Sequence, residues 1–126
     1  MNNMKIEMDL DLEEWFDEPK IARFVLTELN ESPKTWKELY EEARTHVVPF
    51  RDRGYLSILE PGSKGRAEIN SVISTLLEIG LVNWFVIGDW EEEDSHTYEL
   101  TLLGERIVSK HSDGILIEIL PINEVD

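Results

Sequence analysis

Residues 63–108 read SKGRAEINSVISTLLEIGLVNWFVIGDWEEEDSHTYELTLLGERIV, and the fold turns on how this stretch is parsed. Its first third places Ile69, Val72, Ile73, Leu76 and Leu77 at i, i+3, i+4, i+7 and i+8. That spacing gathers apolar side chains on one face of an α-helix. Gly80 follows where a helix is expected to end in a left-handed residue. Residues 81–87 are rich in β-branched and aromatic side chains and predict a strand. Residues 88–95 predict a polar turn. Residues 96–102 alternate again, with Tyr98, Leu100 and Leu102 on one face of a second strand. A short helix from Thr101 to about Lys110 closes the stretch.

Three phrases carry a family resemblance. INSVISTLLEIGLV (69–82) resembles the recognition helix of winged helix-turn-helix regulators, the MarR and PadR kind in particular, with its L-x-x-G-L-V exit. YELTLLGERIV (98–108) is similar to the Y-x-L-T-x-x-G close of their wing. SPKTWKELYEEA (32–43) is similar to the helix that precedes the recognition helix. Together the phrases span about two-thirds of the chain. The resemblance implies an α+β fold, a winged helix-turn-helix with a three-helix core plus a β-hairpin wing. It also implies double-stranded DNA as the partner, a homodimer and a role in regulating transcription. It specifies no operator and no ligand, and winged helices also serve as protein-binding modules.

Residues 5–12 alternate strictly. Ile6, Met8, Leu10 and Leu12 point one way and charged residues the other, which predicts a strand or a frayed arm. Glu13 to Phe16 can form a turn of helix, with Trp15 and Phe16 packing inward. Asp17-Glu18-Pro19 is a helix start, with an acidic cap and Pro in the first turn. The first helix is expected to run to about Leu29 and to bury Ile21, Phe24, Val25 and Leu29. Thr35 and Glu38 have the spacing of a capping box. The second helix buries Trp36, Leu39, Tyr40 and Ala43, a stripe that can extend to Val47 before Pro49 stops it. The segment PFRDRGYLSILEPGSKG (49–65) is longer than the turn of a minimal helix-turn-helix, so YLSIL (55–59) is expected to form a short helix or strand. Residues 115–120, ILIEIL, predict a strand ended by Pro121. The two terminal strands can pair with each other or with a second copy. The expected layout is an arm at 1–16, a winged-helix domain at 17–112, and a strand and tail at 113–126.

A chain of 126 residues suits one domain with its own core. It has no Cys, which excludes disulfides and thiolate metal sites. No apolar run approaches the roughly 18 residues of a membrane span, and the acidic N-terminus does not resemble a signal peptide. A soluble cytoplasmic protein with no membrane partner is expected. The formal net charge is −15, which opposes DNA at long range. The charge is uneven, however. Residues 44–66 hold five basic residues (Arg44, Arg51, Arg53, Lys64, Arg66) against Asp52 and Glu60, so this segment is +3 and the rest carries −18.

The face of the third helix opposite its apolar stripe carries Asn70, Ser71, Ser74 and Thr75. Short neutral hydrogen-bonding side chains can enter a major groove and meet base edges. Arg51, Arg53, Lys64 and Arg66 are suited to holding phosphates. The alternative is a plain solvated face, but other outward positions here are Glu, as at Glu38, Glu41 and Glu42. The turn at 88–95 carries Trp90 with Glu91, Glu92 and Glu93, which oppose phosphate. It reads as a solvated loop, or as a surface for a basic protein partner with Trp90 as its anchor. His46, His96 and His111 lack helical ligand spacing, so no metal site is expected. No nucleophile elbow and no phosphate loop is present, so neither an enzyme nor a cofactor is expected. The expected function is a DNA-binding regulator acting as a homodimer. The alternative is an acidic interaction module or DNA mimic for a basic protein.

Overall fold

The computed structural model describes residue 16 and residues 18–49, 54–86, 96–110 and 120–121. The described residues form a mixed α+β fold whose helices pack on two small antiparallel sheets. No helix among them is long and apolar enough to cross a membrane.

Helix α1 spans Pro19–Glu31. Pro19 opens it, where a missing N–H costs nothing. The expected acidic side-chain cap is not made. The backbone carbonyl of Glu18 accepts from Ile21 and Ala22, while its carboxylate turns to Lys20 Nζ at 2.8 Å. The helix runs past Leu29 to Glu31 and stops because Pro33 forces Ser32 into extended backbone. Its buried face, including Ile21, Phe24, Val25, Leu26 and Leu29, lies at the centre of the core, against α-helices and strands introduced below.

A two-residue strand, β1 (Lys34–Thr35), leads directly into α2 (Trp36–Ala43). The predicted capping box is present. Thr35 Oγ1 accepts from Glu38 N at 3.1 Å, and Thr35 N donates to Glu38 Oε1 at 2.9 Å. The helix does not continue to Val47. Thr45 N and Thr45 Oγ1 both bond to Glu42 O, at 3.0 and 2.7 Å, and His46 Nδ1 lies 2.7 Å from the same carbonyl. These groups saturate the carbonyl of the last turn, and the β-branched residues beyond it form a strand instead. Val47 is buried in that strand.

Strands β2 (His46–Pro49) and β3 (Tyr55–Ser57) form an antiparallel hairpin within the long insertion, pairing Val47 with Ser57 and Val48 with Leu56. Of the helix or strand expected for 55–59, the strand forms. Ile58 and Leu59 then drop into the core.

Helix α3 (Ser63–Glu78) buries Ile69, Val72, Ile73 and Leu76 as its spacing predicts, with Leu77 partly buried beside them. Gly80 adopts φ 82°, a conformation costly for any residue with a Cβ. It closes a Schellman motif in which Leu81 N donates to Leu76 O at 3.0 Å and Gly80 N to Leu77 O at 3.2 Å.

Strands β4 (Val82–Val86) and β5 (His96–Leu100) pair antiparallel from Val82↔Leu100 to Val86↔His96. β1 joins the far edge of β5, Lys34 opposite Tyr98, so the sheet order is β1-β5-β4. The second strand is shorter than its alternation suggests. Leu102 does not continue it but opens α4 (Leu102–Lys110) and is 74% exposed. Thr101 is the cause. Its Oγ1 accepts from Gly104 N at 3.0 Å and donates to Gly80 O at 2.6 Å, so it caps α4 and clasps the exit of α3. Gly104 sits where a Cβ would collide with the Leu81 carbonyl. The G-L-V and T-x-x-G phrases are thus two halves of one junction.

The C-terminal run ends in β6 (Leu120–Pro121), which pairs with β2 of the same chain, Val47 opposite Leu120, giving a second sheet of order β3-β2-β6. The partner of its described end is therefore the insertion hairpin. Residues 5–12 and 115–119, and the turn of helix expected near residues 13–15, lie outside the described residues.

Candidate functional site

The polar face of α3 is not one surface. Side chains four residues apart stack in rows along a helix. Arg66, Asn70 and Ser74 form one such row, and Ser71 with Thr75 lies on another, toward Lys64. Asn70, Ser71 and Ser74 are exposed, and Thr75 is half-buried. Thr75 Oγ1 donates to Ser71 O at 3.0 Å, which occupies its proton within the helix. Ser71 and Thr75, with Lys64, line a depression of about 380 Å³ that also touches Phe16 and Glu18. Arg66 and Asn70 turn the other way, into a groove of about 560 Å³ between α2, α3 and β5.

That groove is built on aromatic rings. Trp36 and Tyr40, one turn apart on α2, stack at 5.0 Å between centroids with an interplanar angle of 10°. Trp36 was expected to be largely buried. It is half-buried, because its ring forms the wall of the groove while packing against the core. Its Nε1 donates to Asn70 Oδ1 at 2.6 Å. An indole N–H can only donate, so this bond fixes which end of the Asn70 amide faces α2. Among the described residues, its amide N–H groups and a second acceptor lone pair have no further partner.

Two guanidinium groups meet the Tyr40 ring. Arg44 Cζ lies 5.6 Å and Arg66 Cζ 5.5 Å from its centroid, within cation–π range. Arg44 also pairs with Glu41 at 3.6 Å, but both side chains are more than half exposed, so the pair is weak. Across the groove β5 contributes Tyr98 and His96. Burial raises the Tyr98 pKa above its ordinary value, which keeps the phenol neutral and a donor. The His96 ring tilts against Trp84 at 5.2 Å, and its buried Nε2 has no hydrogen-bond partner among the described residues.

Of the residues picked out by sequence, Lys64 and Arg66 are exposed on the first turn of α3, and only Arg66 and Asn70 share the groove. Arg51 and Arg53 lie outside the described residues, as do Trp90, Glu91, Glu92 and Glu93. The sequence reading missed Arg44, Tyr98 and His96, and took Trp36 and Tyr40 for core alone. A signal was present in the i, i+4, i+8 row Trp36-Tyr40-Arg44, two aromatics and a cation on one edge of a helix. Among the described residues, no three His, Asp or Glu side chains converge to hold a metal ion. Comparison of the chain with protein-family models, with curated proteins and with solved structures gives no match.

Proposed function

We propose that the chain is a winged-helix domain that binds double-stranded DNA as a homodimer and regulates transcription. The order of elements supports this reading. Three helices interleave with a three-stranded sheet of order β1-β5-β4, and α3 leads straight into the β4–β5 hairpin. On this reading α3 is the recognition helix. The observation that carries it is the exposed row Arg66-Asn70-Ser74, flanked by Lys64 on α3 and by Lys37 and Arg44 on α2, in a chain of formal net charge −15.

Lys64 and Arg66, joined by Arg51 and Arg53 from the insertion, hold phosphates. Asn70 and Ser74, on the row of Arg66, face base edges, with Ser71 and Thr75 on the neighbouring row beside Lys64. With its carbonyl anchored by Trp36, Asn70 still has two N–H donors and one acceptor site, enough for a bidentate contact to adenine. An electrophoretic shift with genomic fragments at low salt is the direct test, and a shifted complex is expected. With about four phosphates per subunit, log affinity should fall against log salt with a slope of about −4 per subunit. Arg66→Ala should weaken binding to all sequences alike, whereas Asn70→Ala should relax base preference. No shift at any salt removes the reading.

The formal charge of −15 favours a second reading, an acidic interaction module for a basic protein partner. There the signs reverse. Changes at Lys64 and Arg66 leave binding intact, and neutralising Glu91, Glu92 and Glu93 abolishes it. If the first reading holds, that neutralisation tightens DNA binding by reducing repulsion.

A further inference from the structure

We propose that the groove between α2, α3 and β5 binds a nucleotide unit, a planar base joined to a phosphate, whether free or as the unpaired end of a nucleic-acid strand. Its volume of about 560 Å³ falls within the size range of small-molecule sites. One end is flat and aromatic. Trp36 lies stacked on Tyr40, and Tyr98 and His96 line the opposite wall. Such a wall takes a planar ring of any base, because every base presents a π-face. Hydrogen-bonding groups sit at the same end. The Asn70 amide is held by the Trp36 N–H, and its own N–H donors have no further partner among the described residues. These suit the polar edge of a base and not a hydrocarbon.

The other end is cationic. Arg44 and Arg66 are drawn to the same Tyr40 ring, an arrangement in which two like charges repel unless an anion joins them. Arg44 has only the exposed Glu41 carboxylate at 3.6 Å, and Arg66 has no carboxylate partner among the described residues. Both guanidiniums also line the adjoining depression that runs past Ser57 to Ser63. Planar guanidiniums and hydroxyls are the groups that take phosphate oxygens. Tyr40, Arg44 and Arg66 belong to both depressions, so the aromatic and cationic ends are one continuous surface. A bare anion leaves the first end empty, and an uncharged aromatic leaves the second.

Titration calorimetry on the full chain tests this with four probes: adenosine 5′-monophosphate, adenosine, inorganic phosphate and a short single-stranded oligodeoxyadenylate. The monophosphate should bind, with adenosine and phosphate each weaker by about tenfold or more. Arg44→Ala, an exposed position that should not disturb folding, should weaken the monophosphate by about tenfold or more, and Trp36→Leu should do the same. Binding of the oligomer with no binding of the monophosphate assigns the groove to a strand end. Absence of heat with the monophosphate and the oligomer at millimolar concentration overturns the proposal. So does monophosphate binding unaffected by both Arg44→Ala and Arg66→Ala. No probe is a duplex, so this outcome is separate from that of the DNA shift.

Discussion

Leu76 has no exposed surface and lies on the face of α3 that meets the core around α1. Leu76→Ala should cost about 2–5 kcal/mol in chemical denaturation, from lost transfer energy and the cavity left behind. A loss well under about 1 kcal/mol would mean that the phase assigned to α3 is wrong. Glu28, half-buried on α1, behaves differently. Its pKa is raised, first by burial and then by the charge of Glu31 and Glu42, against the opposing pull of Lys34 and His46. The folded state therefore holds this proton more tightly than the unfolded chain. Below the unfolded value both states are protonated and no buried charge forms. As pH rises through the folded value, the buried charge forms and stability falls. Glu28→Gln should therefore stabilise the protein at neutral pH, and the gain should vanish in acid. Denaturant midpoints of both proteins across that range check it. An equal gain at every pH would exclude the ionisation as its cause.

At the scale of elements, the junction of α3, β4 and α4 depends on one hydroxyl. Thr101 Oγ1 bonds both Gly80 O and Gly104 N, and Thr101 N donates to Leu81 O at 3.0 Å. Thr101→Ala removes the cap of α4 and leaves the Gly80 carbonyl without its hydroxyl partner. A loss of about 0.5–2 kcal/mol is expected. Amide exchange should quicken in both α4 and the last turn of α3. Faster exchange confined to α4 would show that the two ends are not coupled. The Gly80 end of this junction was legible, since a left-handed cap is local chemistry; the bond from Thr101 to the Gly80 carbonyl, 21 residues back, was not. The end of α2 was not legible. Whether residues 44–47 continue the helix depends on side-chain bonds to the Glu42 carbonyl and on a strand partner, and apolar spacing reports neither.

For the whole molecule, the second sheet joins segments far apart in sequence. β6 pairs with β2 more than seventy residues before it, through His46↔Pro121 and Val47↔Leu120. Deleting residues 113–126 removes β6 and exposes that edge of β2. Denaturation should show a loss of stability. If the proposed function holds, ultracentrifugation of the intact protein should give a dimer, the default state for a regulator reading a two-fold symmetric site. If the intact protein and the truncation are both monomers of equal stability, both the dimer and the structural role of β6 fail. Tyr55 and Leu56, 44% and 47% exposed on edge strand β3, are the apolar surface nearest this sheet and the first place to probe for such contacts.

By itself the sequence determined those features that arise within a few residues of each other. These are the buried stripe of α3, the capping box at Thr35 and Glu38, the left-handed Gly80, and the β4–β5 pair that follows it. Each rests on periodicity, on a capping geometry or on a φ that only glycine adopts easily, so nearby residues suffice to read it. The residues of the groove were visible one by one but not as a group. Trp36 and Tyr40 have the spacing of core residues, and their stack faces Asn70 only because α3 packs beside α2. Arg44 and Arg66 lie far apart in sequence and meet at one ring through that packing. The partner of β6 was equally out of reach, because a short apolar strand carries no mark of which edge it will join. The tertiary structure decided these matters, since contacts between distant segments depend on how whole elements pack and not on the pattern inside any one of them.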